Sequence, residues 1–321
     1  MKRVLVTGAT GFVGNVLCDA LARSGYIVRA ALRDAARKPA GAAEQVVIGD
    51  LGMNNSWQAA LAGVDAVIHT AARAHVLGDP DENAGLYMQA NAAATGNLAA
   101  QSAQAGIRRF IFLSSIKVNG EGTSLRAIRS TDHPQPAETY ARSKWQGEKN
   151  ALAAAAGTAM GVAIVRSPLV YGPGVKANFL RVLRWVDKER PLPLGAVDNK
   201  RSLVSVWNLC DLMLRLLGDS VPAGRVWLVS DGEDLSTPQL IRRLAAAMDR
   251  RARLLPVPVS VLKTVGGWLG YRAQIDRLCG SLVVDIAQTR NELNWSPPVS
   301  VDEGLRRTVR WYLSMAGSHV H

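Results

Sequence analysis

The sequence predicts an α/β protein: a doubly wound parallel sheet with a smaller C-terminal lobe beside it. Three observations carry this prediction. Short apolar runs alternate with stretches of helical periodicity as far as Gly174. A glycine-rich turn, Gly8-Ala9-Thr10-Gly11-Phe12-Val13-Gly14, joins the first run to the first helical stretch. The chain has 321 residues, 48% of them hydrophobic, which is enough for one large domain and a lobe.

The first strand is the run Val4-Leu5-Val6, and Phe12, Val13, Val16, Leu17, Ala20 and Leu21 recur behind it at helical spacing. Gly8 permits the turn, Gly11 the close approach of a pyrophosphate, and Gly14 tight packing of helix on sheet. The helix start offers free N–H groups to phosphate. This loop, with Thr10, Phe12 and Val13 lining it, is therefore expected to cradle a dinucleotide. The spacing is G-x-x-G-x-x-G, one residue longer at its first gap than the G-x-G-x-x-G fingerprint of the Rossmann fold.

The second strand, Tyr26 to Leu32, has no acid to hold a ribose 2′-hydroxyl until Asp34, and Arg33, Arg37 and Lys38 surround it. Arg33 with Arg37 or Lys38 suits a 2′-phosphate, so the pattern favours NADP(H) over NAD(H). The third strand, Val46-Val47-Ile48, leads to Asp50-Leu51 at the adenine side. The fourth, Ala66-Val67-Ile68, leads to His69 and then Thr70-Ala71-Ala72, whose small side chains let the backbone lie against the cofactor. His69, at a strand end with no acidic partner nearby in sequence, is expected to pack.

Arg109 to Ser115 is the fifth strand, and its C-terminal end carries Ser114 and Ser115. Ligands collect at that end of an open parallel sheet. Tyr140 follows, with Lys144 at i+4 on the same helical face. A Lys ammonium beside a phenol, with the positive nicotinamide of an oxidised cofactor, favours the phenolate, so the two together are expected to lower the Tyr140 pKa. Tyr140 then gives or takes the proton of a hydroxyl while hydride moves on carbon, with Ser115 bonded to the same oxygen.

On these residues the chain resembles the extended short-chain dehydrogenases/reductases of the NAD-dependent epimerase/dehydratase group, from Lys2 to about Tyr312. The carriers are Gly8 to Gly14, Asp50-Leu51, Asn91, Ser114-Ser115, Tyr140 with Lys144, and Arg166-Ser167-Pro168-Leu169-Val170-Tyr171-Gly172-Pro173-Gly174. The resemblance implies Ser115 rather than Ser114 as the catalytic serine, with Ser114 beside the substrate. It also implies Asn91 and Pro168 on the cofactor side, Pro168 near the nicotinamide amide. It further implies a Rossmann domain over 1–174, to which 202–230 returns, and a substrate lobe over 175–201 and 231–321. A UDP-sugar is expected in the cleft, with Asn178 at the uridine diphosphate and Arg201 and Arg277 at the pyrophosphate. Many relatives are dimers, and a homodimer is the corresponding expectation. The stretch Ser115-Ile116-Lys117-Val118-Asn119-Gly120-Glu121 looks most like the branch that reduces UDP-linked 4-keto-6-deoxy-N-acetyl sugars in surface-polysaccharide synthesis. NAD-dependent 4-epimerisation of a UDP-hexose is the alternative.

Composition bounds the rest. Cys18, Cys210 and Cys279 are widely spaced and the five His are dispersed, so no metal site and a reducing compartment are expected. Met1-Lys2-Arg3 runs straight into the first strand with no apolar leader, and a cytoplasmic enzyme without a transmembrane segment is expected. Leu254 to Tyr271 is apolar and broken by Pro and Gly. It is expected in the core of the substrate lobe, with an oligomer or membrane-surface contact as the other reading. The net charge of +12 raises nucleic-acid binding, but the positive residues are spread out and few aromatics interleave with them. Anionic small ligands account for part of that charge. A non-catalytic nucleotide-binding scaffold is the remaining alternative, and intact Ser115, Tyr140 and Lys144 stand against it.

Overall fold

The computed structural model describes residues 2–35, 37–74, 84–123, 126–218 and 220–317, and every candidate site residue lies within them. In chain order the first half runs β1 (Arg3–Thr7), α1 (Phe12–Arg23), β2 (Ile27–Leu32), β3 (Glu44–Val47), α2 (Gln58–Leu61), β4 (Ala66–His69) and α3 (Ala84–Tyr87). A π-helical segment, Met88–Ala93, leads into α4 (Ala94–Gln104), β5 (Arg109–Ser115), a short 3-10 turn at Ile116–Val118, α5 (Thr139–Ala155) and β6 (Gly161–Ser167). Then come β7 (Leu169–Tyr171), α6 (Ala177–Asp187), β8 (Arg201–Ser205), α7 (Val206–Arg215), β9 (Arg225–Leu228) and β10 (Asp234–Leu235). The chain ends with α8 (Thr237–Ala247), α9 (Val259–Trp268), α10 (Arg272–Cys279), α11 (Ala287–Leu293) and α12 (Val301–Gly317).

Seven strands form one parallel sheet in the order β3-β2-β1-β4-β5-β6-β9. The strand order reverses between β1 and β4, which opens a crevice at their carboxyl ends. Side chains alternate between the two faces. Val4 and Val6 join the core beneath α1 and α7, whereas Leu5 joins the core with Leu98 of α4 and Ala151 of α5. Apolar residues on both faces are what a parallel strand covered by helices on each side requires.

The chain leaves this sheet at Pro168. Proline has no N–H to extend the ladder, and β7 starts a second sheet of order β10-β8-β7. Within the 202–230 segment expected to return to the dinucleotide domain, β8 pairs with β7 and β10, and β9 joins the large sheet beside β6. Phe179 and Leu183 of α6, Leu244 of α8 and Leu305 and Val309 of α12 form the core of the small lobe. Phe12 packs against both this core and the large one.

Leu254 to Tyr271 departs from the core expectation. Val259 and Leu262 pack against the small core, but Val261, Val265, Trp268, Leu269 and Tyr271 are exposed, Trp268 at 86%. One face of α9 is half-buried around Gly266 and the other is exposed. No helix among the described residues is long and apolar enough to cross a membrane.

Candidate active site

A single cleft of about 2060 Å³ runs from the glycine loop across the sheet edge to the small lobe. Its first wall is the β1–α1 turn. Gly8 sits at φ +67°, and a Cβ there would lie 2.7 Å from the Ala71 nitrogen. A Cβ on Gly14 would lie 2.1 Å from the Gly8 carbonyl oxygen, so only glycine lets α1 sit this close to the turn. Gly11 is the N-cap of α1 and supplies no side-chain acceptor, and the first turn holds no acid. Its leading N–H groups are thus available to an anion, as a pyrophosphate cradle requires. These features fit a dinucleotide.

Thr10, Phe12, Val13, Thr70, Ala71, Ala72, Asp50, Leu51, Arg33, Arg37 and Pro168 all line the cleft. Arg33 is exposed and lies within 3.7 Å of Asp34 and 4.0 Å of Asp50, so its charge is shared with two carboxylates on the same rim. Asn91 is the exception. It is fully buried behind the wall, accepting from the Arg73 amide at 2.8 Å and donating to the Arg73 carbonyl and the Ser143 hydroxyl, each at 3.0 Å. Its position in the π-helical segment aims the side chain at this loop and at α5, so it positions the wall without touching the cleft.

His69 is fully buried. It contacts Thr7 Oγ1 through Nδ1 at 2.6 Å and Thr95 Oγ1 through Nε2 at 3.0 Å, and stacks on Phe112. Thr95 gives its own proton to the Asn91 carbonyl. The network therefore assigns Nε2 as the protonated nitrogen and Thr7 as donor to Nδ1. Burial, reinforced by the Lys144 charge, pushes His69 down to about 3, and it remains a neutral packing group.

At the centre lie Ser115, Tyr140 and Lys144. Ser115 ends β5, and its Oγ caps the following turn by accepting from the Lys117 amide at 3.3 Å. Burial raises Tyr140 to about 12, opposed by a hydrogen bond with Ser115. Lys144 is 1% exposed, and its Nζ sits 4.0 Å over the Phe112 ring. Burial draws it down to about 7, with the Glu148 carboxylate opposing. Burial dominates at both groups, and the lowering that acts on Tyr140 comes from Ser115.

Ser114 points the other way, as alternation along β5 demands. Its hydroxyl donates to Glu148 Oε1 at 2.5 Å, while the residue still forms part of the cleft lining. Arg201 and Arg277 converge where α10 meets β8. Arg201 Nη1 donates to the carbonyls of Arg277 and Gly280 at 2.6 and 3.0 Å, and Arg277 Nη2 to Glu138 at 2.5 Å. Asn178 faces the cleft at the start of α6, while Phe179 is buried against Tyr171 at 5.5 Å.

Several residues around the site were given no role in the sequence reading. Tyr87 meets the Tyr140 ring edge-on at 6.2 Å. Glu138 pairs with both Lys117 and Arg277, and Lys117 also faces Glu121 at 3.6 Å. Burial works against the Glu138 charge, but hydrogen bonds from Glu121 and Lys117 and the Lys117 and Arg277 cations outweigh it and hold the carboxyl at about 2. Glu148 and Arg166 form a buried ion pair. Glu148 lies one turn beyond Lys144 on the same face of α5, and that spacing was the signal available.

The family model for the NAD dependent epimerase/dehydratase family matches residues 4–230. The chain belongs to that family. A UDP-glucose 4-epimerase of Vibrio cholerae is 44% identical over 316 residues, covering 97% of this chain and 96% of that protein. A 2-alkyl-3-oxoalkanoate reductase of Stenotrophomonas maltophilia is 27% identical over 95% of this chain and 98% of its own. The structure of MoeE5 in complex with UDP-glucose and NAD superposes with a TM-score of 0.77 at 24% identity, over 98% of this chain and 99% of that one. At that identity the superposition shows the fold. Family membership makes the protein an enzyme of the extended short-chain dehydrogenase/reductase class.

Proposed function

We propose that the enzyme interconverts C4 epimers of a UDP-linked hexose by moving hydride and proton at C4, with its dinucleotide retained. The observation that carries this reading is the 44% identity to a UDP-glucose 4-epimerase along 97% of the chain. When bound, the dinucleotide supplies the hydride acceptor and donor, and in its oxidised form a positive ring beside Tyr140. Tyr140 takes the O4 proton as the C4–H bond breaks and returns it when C4 is reduced on the other face. Ser115 hydrogen-bonds the same oxygen and holds it against the phenol. Lys144 keeps a positive charge beneath the ribose and the phenol. Arg201 and Arg277 take the diphosphate and Asn178 the uridine. The dinucleotide domain, the lobe and a cytoplasmic homodimer are proposed with this reading and rest on the family resemblance.

Reduction of a UDP-linked 4-keto-6-deoxy-N-acetylhexosamine is the second reading. Arg33 and Arg37 favour it, since both line the cleft and no acid precedes Asp34 after β2. A basic rim suits NADPH, and a net reductase requires fresh reduced cofactor at each turnover. One experiment separates the two. The protein is given UDP-glucose with NAD, and separately the 4-ketosugar with NADPH or NADH. Appearance of UDP-galactose with no net change in reduced-nicotinamide absorbance supports the epimerase. Stoichiometric loss of absorbance with the ketosugar, and no epimerisation, replaces it with the reductase.

A further inference from the structure

We infer that Glu148 and Arg166 form a positioning pair that holds the catalytic serine strand and the catalytic helix in register as a unit of no net charge. The inference rests on Lys144 acting as an ammonium, which both readings above share.

Glu148 and Arg166 are each 3% exposed. Arg166 Nη2 reaches Glu148 Oε2 at 2.6 Å and Nε reaches Oε1 at 2.9 Å, a bidentate fork. Oε1 also accepts the Ser114 hydroxyl at 2.5 Å, and Arg166 Nη1 donates to Asn119 Oδ1 at 2.9 Å. One ion pair thus joins four pieces of backbone. These are α5, which carries Tyr140 and Lys144; the end of β5, which carries Ser115; the turn after β5; and the end of β6, two residues before Pro168. A buried ion pair gains little in stability over an apolar pair of similar volume, because desolvating both charges offsets their attraction. Orientation and charge are what such a pair supplies here that apolar residues do not.

The charges around Lys144 show why both members matter. On its own helix it faces Tyr140 and Glu148. From β4 comes His69, held neutral, and from β5 the Phe112 ring. Arg166 of β6 reaches this region through Glu148, and Tyr87 of α3 through the edge of the Tyr140 ring. Lys117, on the turn after β5, is paired with Glu138. The π-helical segment and α4, which pack along α5, carry no charged side chain. Glu148 is the carboxylate that supports the Lys144 charge against burial. Arg166 balances Glu148 without a second acid.

The test uses opposite charge changes at one site. Glu148→Gln leaves the Arg166 charge without its carboxylate, and Arg166→Met leaves the Glu148 charge without its guanidinium. The double variant Glu148→Gln/Arg166→Met is neutral again. The readout is the alkaline limb of the pH profile, followed both by NADH binding through its fluorescence and by turnover. Loss of Lys144 charge weakens both as pH rises. The account expects the limb to move down by about one pH unit in Glu148→Gln, about a tenfold loss of binding at a pH above the limb. It should move up in Arg166→Met and return near wild type in the double variant. A limb that stays fixed in all three, with activity following folded fraction, would overturn the inference. If either single variant does not fold, Glu148→Asp decides the matter. It keeps the charge but shortens the reach, so kcat should fall several-fold with the limb unmoved and NADH affinity retained. Unchanged kcat in that variant rejects the positioning role.

Discussion

Burial acts on Tyr140 and Lys144 in opposite directions: it keeps the phenol protonated to about pH 12 and lets the lysine lose its proton near 7. Replacing Tyr140 by Phe keeps the ring and its edge-on contact with Tyr87 but removes the proton. Turnover should fall about 10²–10⁴-fold while NAD binding, followed by fluorescence, stays within a few-fold of the wild-type protein. His69 yields a stability prediction. Its folded pKa of about 3 lies below the ordinary 6.5, so between those values the unfolded chain binds a proton that the folded chain refuses. Unfolding free energy should therefore fall as pH drops through that window, by up to about 1.4 kcal/mol per pH unit. Urea titrations at pH 7, 5 and 4 measure the slope, and His69→Asn should flatten it by that amount. At this scale the sequence was legible where partners are neighbours in the chain. Tyr140 and Lys144 share a helix face by spacing alone, and Ser115 ends a recognisable strand. The Glu148–Arg166 contact was missed because it spans two elements, although Arg166 lies in a segment that carries the resemblance, and a Glu within Trp145-Gln146-Gly147-Glu148-Lys149 reads as a solvated helix face.

The helix that carries the site depends on close approach to its neighbours. Gly147 of α5 lies against the π-helical segment, where a Cβ would come within 2.4 Å of the Asn91 carbonyl oxygen and 3.2 Å of Phe112 Cζ. Gly147→Ala should push α5 off the sheet, lowering stability by about 1–3 kcal/mol in denaturant unfolding and reducing kcat by displacing Tyr140. An unchanged midpoint would mean that the segment yields without cost. The strands of the large sheet were readable because apolar runs, turn glycines and helical periods repeat in order. The small sheet was not, since β7 and β10 are too short to show a period, and β8 pairs with both across a long stretch of intervening chain. Leu254 to Tyr271 shows the limit of composition, because an apolar run does not reveal which of its faces finds a partner.

Across the whole molecule, two lobes enclose a cleft whose end proposed for the substrate is held by an ion pair between them: Glu138, just before α5, with Arg277 of α10. Cations on both sides, including Lys117, Lys176 and Arg201, make this end suited to a diphosphate and use part of the +12 charge. Arg277→Gln should raise the KM for the UDP-sugar about 10–100-fold, the loss of a charged hydrogen bond, and leave dinucleotide affinity unchanged. Equal weakening of both ligands would place Arg277 in general folding instead. The central claim is direct hydride movement at C4, and deuterium at that carbon tests it. UDP-glucose labelled with deuterium at C4 is incubated with the enzyme and catalytic NAD in ordinary water, and the product is read by NMR and mass spectrometry. The account predicts UDP-galactose with the deuterium still on C4. Product formed with that deuterium replaced by solvent hydrogen would contradict it.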